Sequence, residues 1–183
     1  MTSASSEDTL LRPSSTLPHP EAVLLDLDGT LYRGEERVDG ADRLIAALSE
    51  RNIPAWFVTN NSSRTPEEVA AHLTRMGIPA SPRRVVTSAL AAADYAAQRH
   101  PGSLAYVIGE TGLREALAAA GIRIADDGEG TEAAEAAELV IQGIDRRFDY
   151  GKLAAAVRII RGGAAYLLTN PDLLLPTDGG FMP

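Results

Sequence analysis

The stretch VLLDLDGTLYRG at residues 23–34 limits what this chain can fold into more than any other. Val23, Leu24 and Leu25 form a short apolar run that stops at two carboxylates, Asp26 and Asp28, with Gly29 and Thr30 behind them. A run apolar at every position reads as a strand buried on both faces, as in a parallel α/β sheet. Open α/β sheets place their chemistry just past the carboxyl ends of such strands. Residues two apart on a strand point the same way, so Asp26 and Asp28 address one spot. Two convergent carboxylates disfavour each other's ionisation unless a cation or a proton lies between them. Oxygen-only ligation suits magnesium, which takes one or two carboxylates together with water and a substrate phosphate. Gly29 lets the backbone turn sharply at the mouth of the site.

Three other readings compete. A calcium loop counted from Asp26 needs an oxygen ligand at its fifth place, Gly at the sixth and an acid at the twelfth. Those places hold Thr30, Leu31 and Arg37, so that reading fails. A turn that merely favours Asp and Gly is open, but it leaves unexplained why two acids end an apolar strand. A receiver-type phosphoacceptor pocket pairs adjacent acids on one strand with an acceptor Asp on another, and nothing here plays that acceptor.

DLDGTL followed by Tyr32 and Gly34 resembles the first motif of the haloacid dehalogenase-like phosphatases, in the NagD, phosphoglycolate phosphatase and 4-nitrophenylphosphatase branch. The resemblance implies Asp26 as nucleophile and Asp28 as general acid/base, both at a magnesium site. Branches of the family that do not hydrolyse phosphate esters lack the second Asp, so Asp28 points to ester hydrolysis.

The rest of the chain reads as alternating strands and helices. Residues 1–20 are rich in Ser, Thr and Pro and read as a disordered tail. Tyr32 to Asp39 reads as a loop over the site, and Ala41 to Arg51 as a helix with Ala41, Leu44, Ile45 and Leu48 on one face. AWFV at 55–58 is a second strand, completing a right-handed βαβ unit. It runs into Thr59, Asn60, Asn61 and Ser62. The next helix shows its start in the sequence, with Thr65 as N-cap, Pro66 at the first helical position and Glu68 closing a capping box. VTNNS resembles the family's second motif, which implies Thr59 as the phosphate-binding hydroxyl, with Asn60 and Asn61 lining the substrate side. Arg64 reads equally as a site residue or as a helix-end partner of Glu67 or Glu68. His72 borders the apolar face of that helix and reads as packing.

RVVTS at 84–88 is a third strand. Beyond it come a helix at 89–99, a strand at 104–108, a helix at 111–120, a short strand near Ile122, a strand at 138–143, a helix at 150–161 and a strand at 164–169. This block resembles the α/β cap that the branch inserts between its second and third motifs, with GIDRRFDYGKL and LLTNPDLLLP as landmarks. The resemblance implies that Ile144, Asn170, Asp172, Leu175 and Pro176 face the site and select substrate. Leu173 to Leu175 read equally as core packing. Lys152 reads as an ordinary surface lysine, and Asp126 to Glu132 as a solvated loop.

The fold class is therefore α/β, a partial Rossmann-like parallel sheet with an inserted α/β cap. The division is tail 1–20, N-terminal part of the core 21–88, and cap 89–183. A formal charge of −8 with few basic clusters argues against a nucleic-acid partner. No apolar stretch approaches the ~18 residues of a membrane span. The absence of cysteine removes any disulfide framework, thiolate metal site or cysteine nucleophile, and fits the cytosol. There is no G-x-x-x-x-G-K-[ST] loop and no G-x-G-x-x-G after a strand.

The function implied is a magnesium-dependent phosphomonoester hydrolase acting on a small phosphorylated metabolite through an aspartyl-phosphate. The resemblance also implies a homodimer through the cap. The family's third-motif lysine and fourth-motif acid would follow the cap, whereas the chain ends at Pro183. The expectation is a truncated chain, inactive by itself. The alternative is a non-catalytic phosphate- or metal-binding protein that keeps the acidic pocket.

Overall fold

The computed structural model describes residues 20–125, 132–172, 175–177 and 180–182, with side chains for 20–125 and 134–172. The expected tail, save for Pro20, and residues 126–131 of the expected Asp126–Glu132 loop thus lie outside the described residues, while Glu132 opens a short helix. The described residues open with β1 (Val23–Asp26), followed by a short antiparallel hairpin of β2 (Tyr32–Arg33) and β3 (Glu36–Arg37). Then come α1 (Ala41–Glu50), β4 (Ala55–Thr59), α2 (Pro66–Arg75) and β5 (Val85–Thr87). The three strands β1, β4 and β5 form one parallel sheet in that order. Its register sets Leu25 beside Phe57 and Phe57 beside Val85.

Strand alternation then decides what is buried. Leu25, Phe57 and Val85 point into a core completed by Ala41, Ile45 and Leu48 of α1 and by Val69 and Leu73 of α2. Burial of a side chain such as Phe57 contributes about 1.5–3 kcal/mol. The opposite face holds Leu24, Trp56 and Val86, which are 71%, 37% and 36% exposed. Among the described residues β1 lies at the sheet edge and no layer packs over Leu24. The hairpin corrects one expectation, a plain loop over 32–39. Gly34, at φ 55°, supplies the left-handed turn that closes it.

The second half carries α3 (Ser88–Arg99), β6 (Leu104–Ile108), α4 (Thr111–Ala119), β7 (Arg123–Ile124), α5 (Glu132–Glu135), β8 (Leu139–Gln142), α6 (Tyr150–Arg161) and β9 (Ala165–Leu168). A parallel sheet of order β7-β6-β8-β9 runs through it. One face, with Val107 and Ile141, packs on alanines of α3 and on Leu113 and Leu117 of α4. The other, with Tyr106 and Val140, packs on Ala155, Ala156 and Ile159 of α6. Small alanines let these helices lie close to the strands. A final antiparallel pair joins β10 (Leu175–Thr177) and β11 (Gly180–Met182). Among the described residues no helix is long and apolar enough to cross a membrane.

Lys152 is not the ordinary surface lysine of the sequence reading. Its ammonium lies 2.6 Å from Asp145 Oδ2, with the two side chains only 19% and 2% exposed. Asp145, in the β8–α6 loop, thus reaches the first turn of α6.

Candidate active site

The site begins where β1 ends. Asp26 is the last residue of the strand and is exposed, and its Oδ2 accepts a hydrogen bond from Thr30 Oγ1 at 3.2 Å. Leu27, fully buried, then anchors a tight turn: its carbonyl accepts the amides of Thr30, Leu31 and Tyr32 at 3.1, 2.9 and 3.3 Å. Gly29 takes a left-handed φ of 83°, open to glycine at little cost. The turn brings Tyr32 back beside Asp28, and the phenol donates to Asp28 Oδ2 at 3.4 Å. Asp28 thus sits in the turn, beyond the strand end.

The two acids differ in surroundings. Burial pushes the Asp28 carboxyl above its ordinary pKa and the charge of Asp26 adds to this, while the Tyr32 hydrogen bond and the charge of Arg64 oppose it. Burial and the neighbouring Asp28 likewise push the Tyr32 phenol upward, so it stays a donor. Behind Tyr32 lies His72 of α2, its ring edge-on at 5.1 Å and 86°. Burial lowers the His72 pKa, as does the charge of Arg64. A neutral imidazole accepts at Nδ1 from Arg75, 3.3 Å away, so the 3.9 Å approach of Glu35 is no ion pair near neutral pH. His72 supports the tyrosine from within the core, as its packing position implied.

Thr59 ends β4, next to β1 in the sheet, and is buried. Its Oγ1 accepts from Asn61 N at 3.1 Å. The Asn61 side chain turns back into its own loop, its Oδ1 accepting from Ser63 N and Ser63 Oγ, both at 2.8 Å. Asn60 is exposed and donates through Nδ2 to Asp172 Oδ2 at 2.9 Å. Among the residues expected to select substrate, Asp172 is thus brought to the second-motif loop. Asn170 Oδ1 accepts from Asp172 N at 3.0 Å and shapes that stretch. Ile144 is half-buried, and its amide donates to Ser62 Oγ at 3.0 Å. Leu175 and Pro176 lie in β10, with side chains outside the described residues.

Arg64 was the residue the sequence left open. Glu68 is taken by the capping box, its Oε2 accepting Thr65 N at 2.9 Å while Thr65 Oγ1 accepts Glu68 N at 3.2 Å. Arg64 is half-buried and its charge acts on Asp28, Tyr32 and His72. The Tyr32 contact with Asp28 carries a faint signal in sequence, an aromatic hydroxyl four residues after the acid. The Asn60–Asp172 pair, 112 residues apart, carries none.

Hard oxygen donors at Asp26 and Asp28 suit magnesium. Among the described residues no group of three His, Asp or Glu side chains converges as a complete metal site.

Comparison with known proteins agrees with this geometry. Residues 23–123 match the family model described as haloacid dehalogenase-like hydrolase. The acid sugar phosphatase of Staphylococcus epidermidis is 44% identical over 167 residues, covering 91% of this chain and 62% of its own length. A thermostable NPPase from Geobacillus stearothermophilus, solved as a double mutant, superposes with a TM-score of 0.79 at 44% identity, covering 89% of this chain and 61% of that one. The glycerol phosphate phosphatase of Mycobacterium tuberculosis, solved in complex with magnesium, gives 0.79 at 36% identity, covering 89% and 47%. The chain therefore spans about three-fifths of the length of the curated relatives it matches. With the acidic turn at the end of β1, the parallel sheet and these matches together, the chain belongs to the haloacid dehalogenase-like hydrolases, in their NagD-like branch.

Proposed function

We propose that the protein to which this chain belongs is a magnesium-dependent phosphatase of small phosphorylated metabolites. In this reading residues 21–88 are the N-terminal part of the catalytic core and residues 89–183 the cap. The observation that carries it is the unequal pair at the end of β1. Asp26 is exposed with one hydroxyl donor on it, while Asp28 is held by Tyr32 with its carboxyl pushed up by burial. Titratable neighbours whose surroundings separate them mark acid/base and nucleophile roles.

An Asp26 oxygen attacks phosphorus, forming a new P–O bond as the ester P–O bond breaks, and the departing oxygen takes its proton from Asp28. Water then attacks the phosphorus of the aspartyl-phosphate and yields its proton to Asp28. The P–O bond to Asp26 breaks, releasing phosphate and restoring the carboxylate. Thr59, Asn60 and Asn61 hold the phosphoryl side. Ile144, Asn170, Asp172, Leu175 and Pro176 are the substrate-selecting face of the cap. Magnesium would be held by the Asp26 carboxylate and the Asp28 backbone carbonyl, and it supplies offsetting charge for the phosphoryl oxygens. The sugar phosphatase and glycerol phosphate phosphatase names of the relatives support this substrate class. A cytosolic setting accords with a chain free of cysteine. A homodimer through the cap accords with the exposed Tyr150, Leu153, Val157 and Ile160 on one side of α6.

The test uses a chimera, with this chain continued past Pro183 by the corresponding region of the S. epidermidis acid sugar phosphatase. The chimera should hydrolyse p-nitrophenyl phosphate with magnesium, and Asp26→Asn should remove both turnover and trapped phosphoenzyme. Turnover near the parent rate in Asp26→Asn would exclude the covalent mechanism. Phosphate binding without turnover in the folded parent chimera would favour the binding-protein reading.

A further inference from the structure

The loop from Asn60 to Arg64 follows a strand of the first sheet, yet its bonds go to the second half of the chain. Ser62, fully buried, accepts the amide of Ile144 at 3.0 Å. The carbonyl of Ser63 accepts the amide of Gly112 at 3.0 Å. Asn60 accepts at its carbonyl from Ser88 Oγ at 2.7 Å and donates to Asp172 at 2.9 Å. Four separate segments therefore bond three of these five residues.

Two glycines make the approach possible. A Cβ on Gly143 would stand 2.4 Å from Ser62 Oγ and 3.1 Å from Ser62 Cβ. A Cβ on Gly112 would stand 2.4 Å from the Arg64 carbonyl oxygen and 2.8 Å from its nitrogen. Neither glycine has the positive φ that would select glycine for its backbone shape. Close approach of another chain segment is the reason that remains.

We infer that Ser62, seated against Gly143, is a positioning residue that locks the Asn60–Asn61 edge, bonded at its other side to Thr59 of the core sheet, onto the Gly143–Ile144 segment. The inference rests on the reading of this edge as the phosphoryl-binding side. Its mechanical content stands on the contacts alone.

Hydrogen exchange on the 183-residue chain tests this through a double-variant cycle. Gly143→Ala forces a methyl group onto Ser62 Oγ and should speed exchange of 60–64 and Ile144 by roughly tenfold, within the range that overpacking produces. Exchange in α1 and α2 should stay unchanged. Ser62→Ala removes the oxygen and one acceptor, so it should loosen the same segment alone. In that background the added effect of Gly143→Ala should shrink to less than about threefold, the mark of coupled sites. Additive effects, unchanged loop exchange, or equal acceleration along the whole chain would overturn the inference. If Gly143→Ala does not fold, Ser62→Ala decides: acceleration must be confined to 60–64 and Ile144. A last arm adds orthophosphate and magnesium, which should slow exchange at Thr59–Asn61 in the parent and lose that effect in Ser62→Ala. A parent loop indifferent to orthophosphate would count against the phosphoryl-site reading, and the variant cycle would still judge the mechanical link.

Discussion

Lys152→Met should destabilise the cap by about 3 kcal/mol, and the deficit should fade in acid. The carboxylate left behind is the reason for the size. The Asp145 side chain is 2% exposed, and its Oδ2 meets Lys152 at 2.6 Å while its Oδ1 accepts the amide of Arg147 at 2.9 Å. Removing one partner of a buried pair costs ~3–5 kcal/mol, because the other charge stays unpaired. The remaining Arg147 donor, and water able to enter where a 19% exposed lysine stood, place this case at the lower end. For a chain of this length such a loss lowers the melting temperature by roughly 6–12 °C. Burial would raise the Asp145 pKa, but the Lys152 hydrogen bond, the Arg147 amide and the nearby positive charges outweigh it and hold the carboxyl below its usual value. A carboxylate lowered on folding stabilises fully above its unfolded pKa of about 3.9 and loses that contribution as pH falls through the lower folded value. The difference between parent and variant should therefore be full at neutral pH and shrink below about pH 4. Urea unfolding followed by circular dichroism across that range measures it, with Asp145→Leu/Lys152→Met expected to regain most of the loss. A deficit under about 1 kcal/mol, or one equal at pH 7 and pH 3, would refute the argument that this pair is desolvated.

Two further outcomes follow from the site and the sheet. In the chimera, Asp28→Asn keeps the nucleophile and removes the proton donor, so turnover should fall ~10²–10⁴-fold for alkyl esters and least for p-nitrophenyl phosphate; equal losses for both leaving groups would count against Asp28 as the acid. The exposed Leu24, Trp56 and Val86 face and the open edge of β1 should make the 183-residue chain self-associate, with Leu24→Glu shifting it toward monomer in analytical ultracentrifugation. A parent that sediments as monomer throughout would show that this face needs no cover.

The local grammar of the chain was readable wherever the signal lay within a few residues. Strand 104–108 and helix 150–161 have the bounds their apolar patterns predict, and the Thr65–Glu68 capping box forms as written. The hairpin at 32–37 was hidden because Arg33, Glu35, Glu36 and Arg37 read as loop, while its closing turn depends on the φ of Gly34. At the site, Asp26, Asp28 and Thr59 follow from strand ends and motif spacing. Arg64 and the bonds of Ser62 depend on partners far along the chain, and no local pattern encodes them.

The long reach of the loop after β4 also bears on how the protein is made. Its bonds join residues 82 and 112 positions apart, whereas the sheet it extends pairs neighbours within one βαβ unit. Contacts of such separation are slow to form, because the intervening chain must be ordered before they repay its closure. During synthesis the acidic turn and the first two strands can pair well before residue 172 has left the ribosome. The loop completes only when that segment arrives, so the nascent chain carries its carboxylates early and closes this loop late.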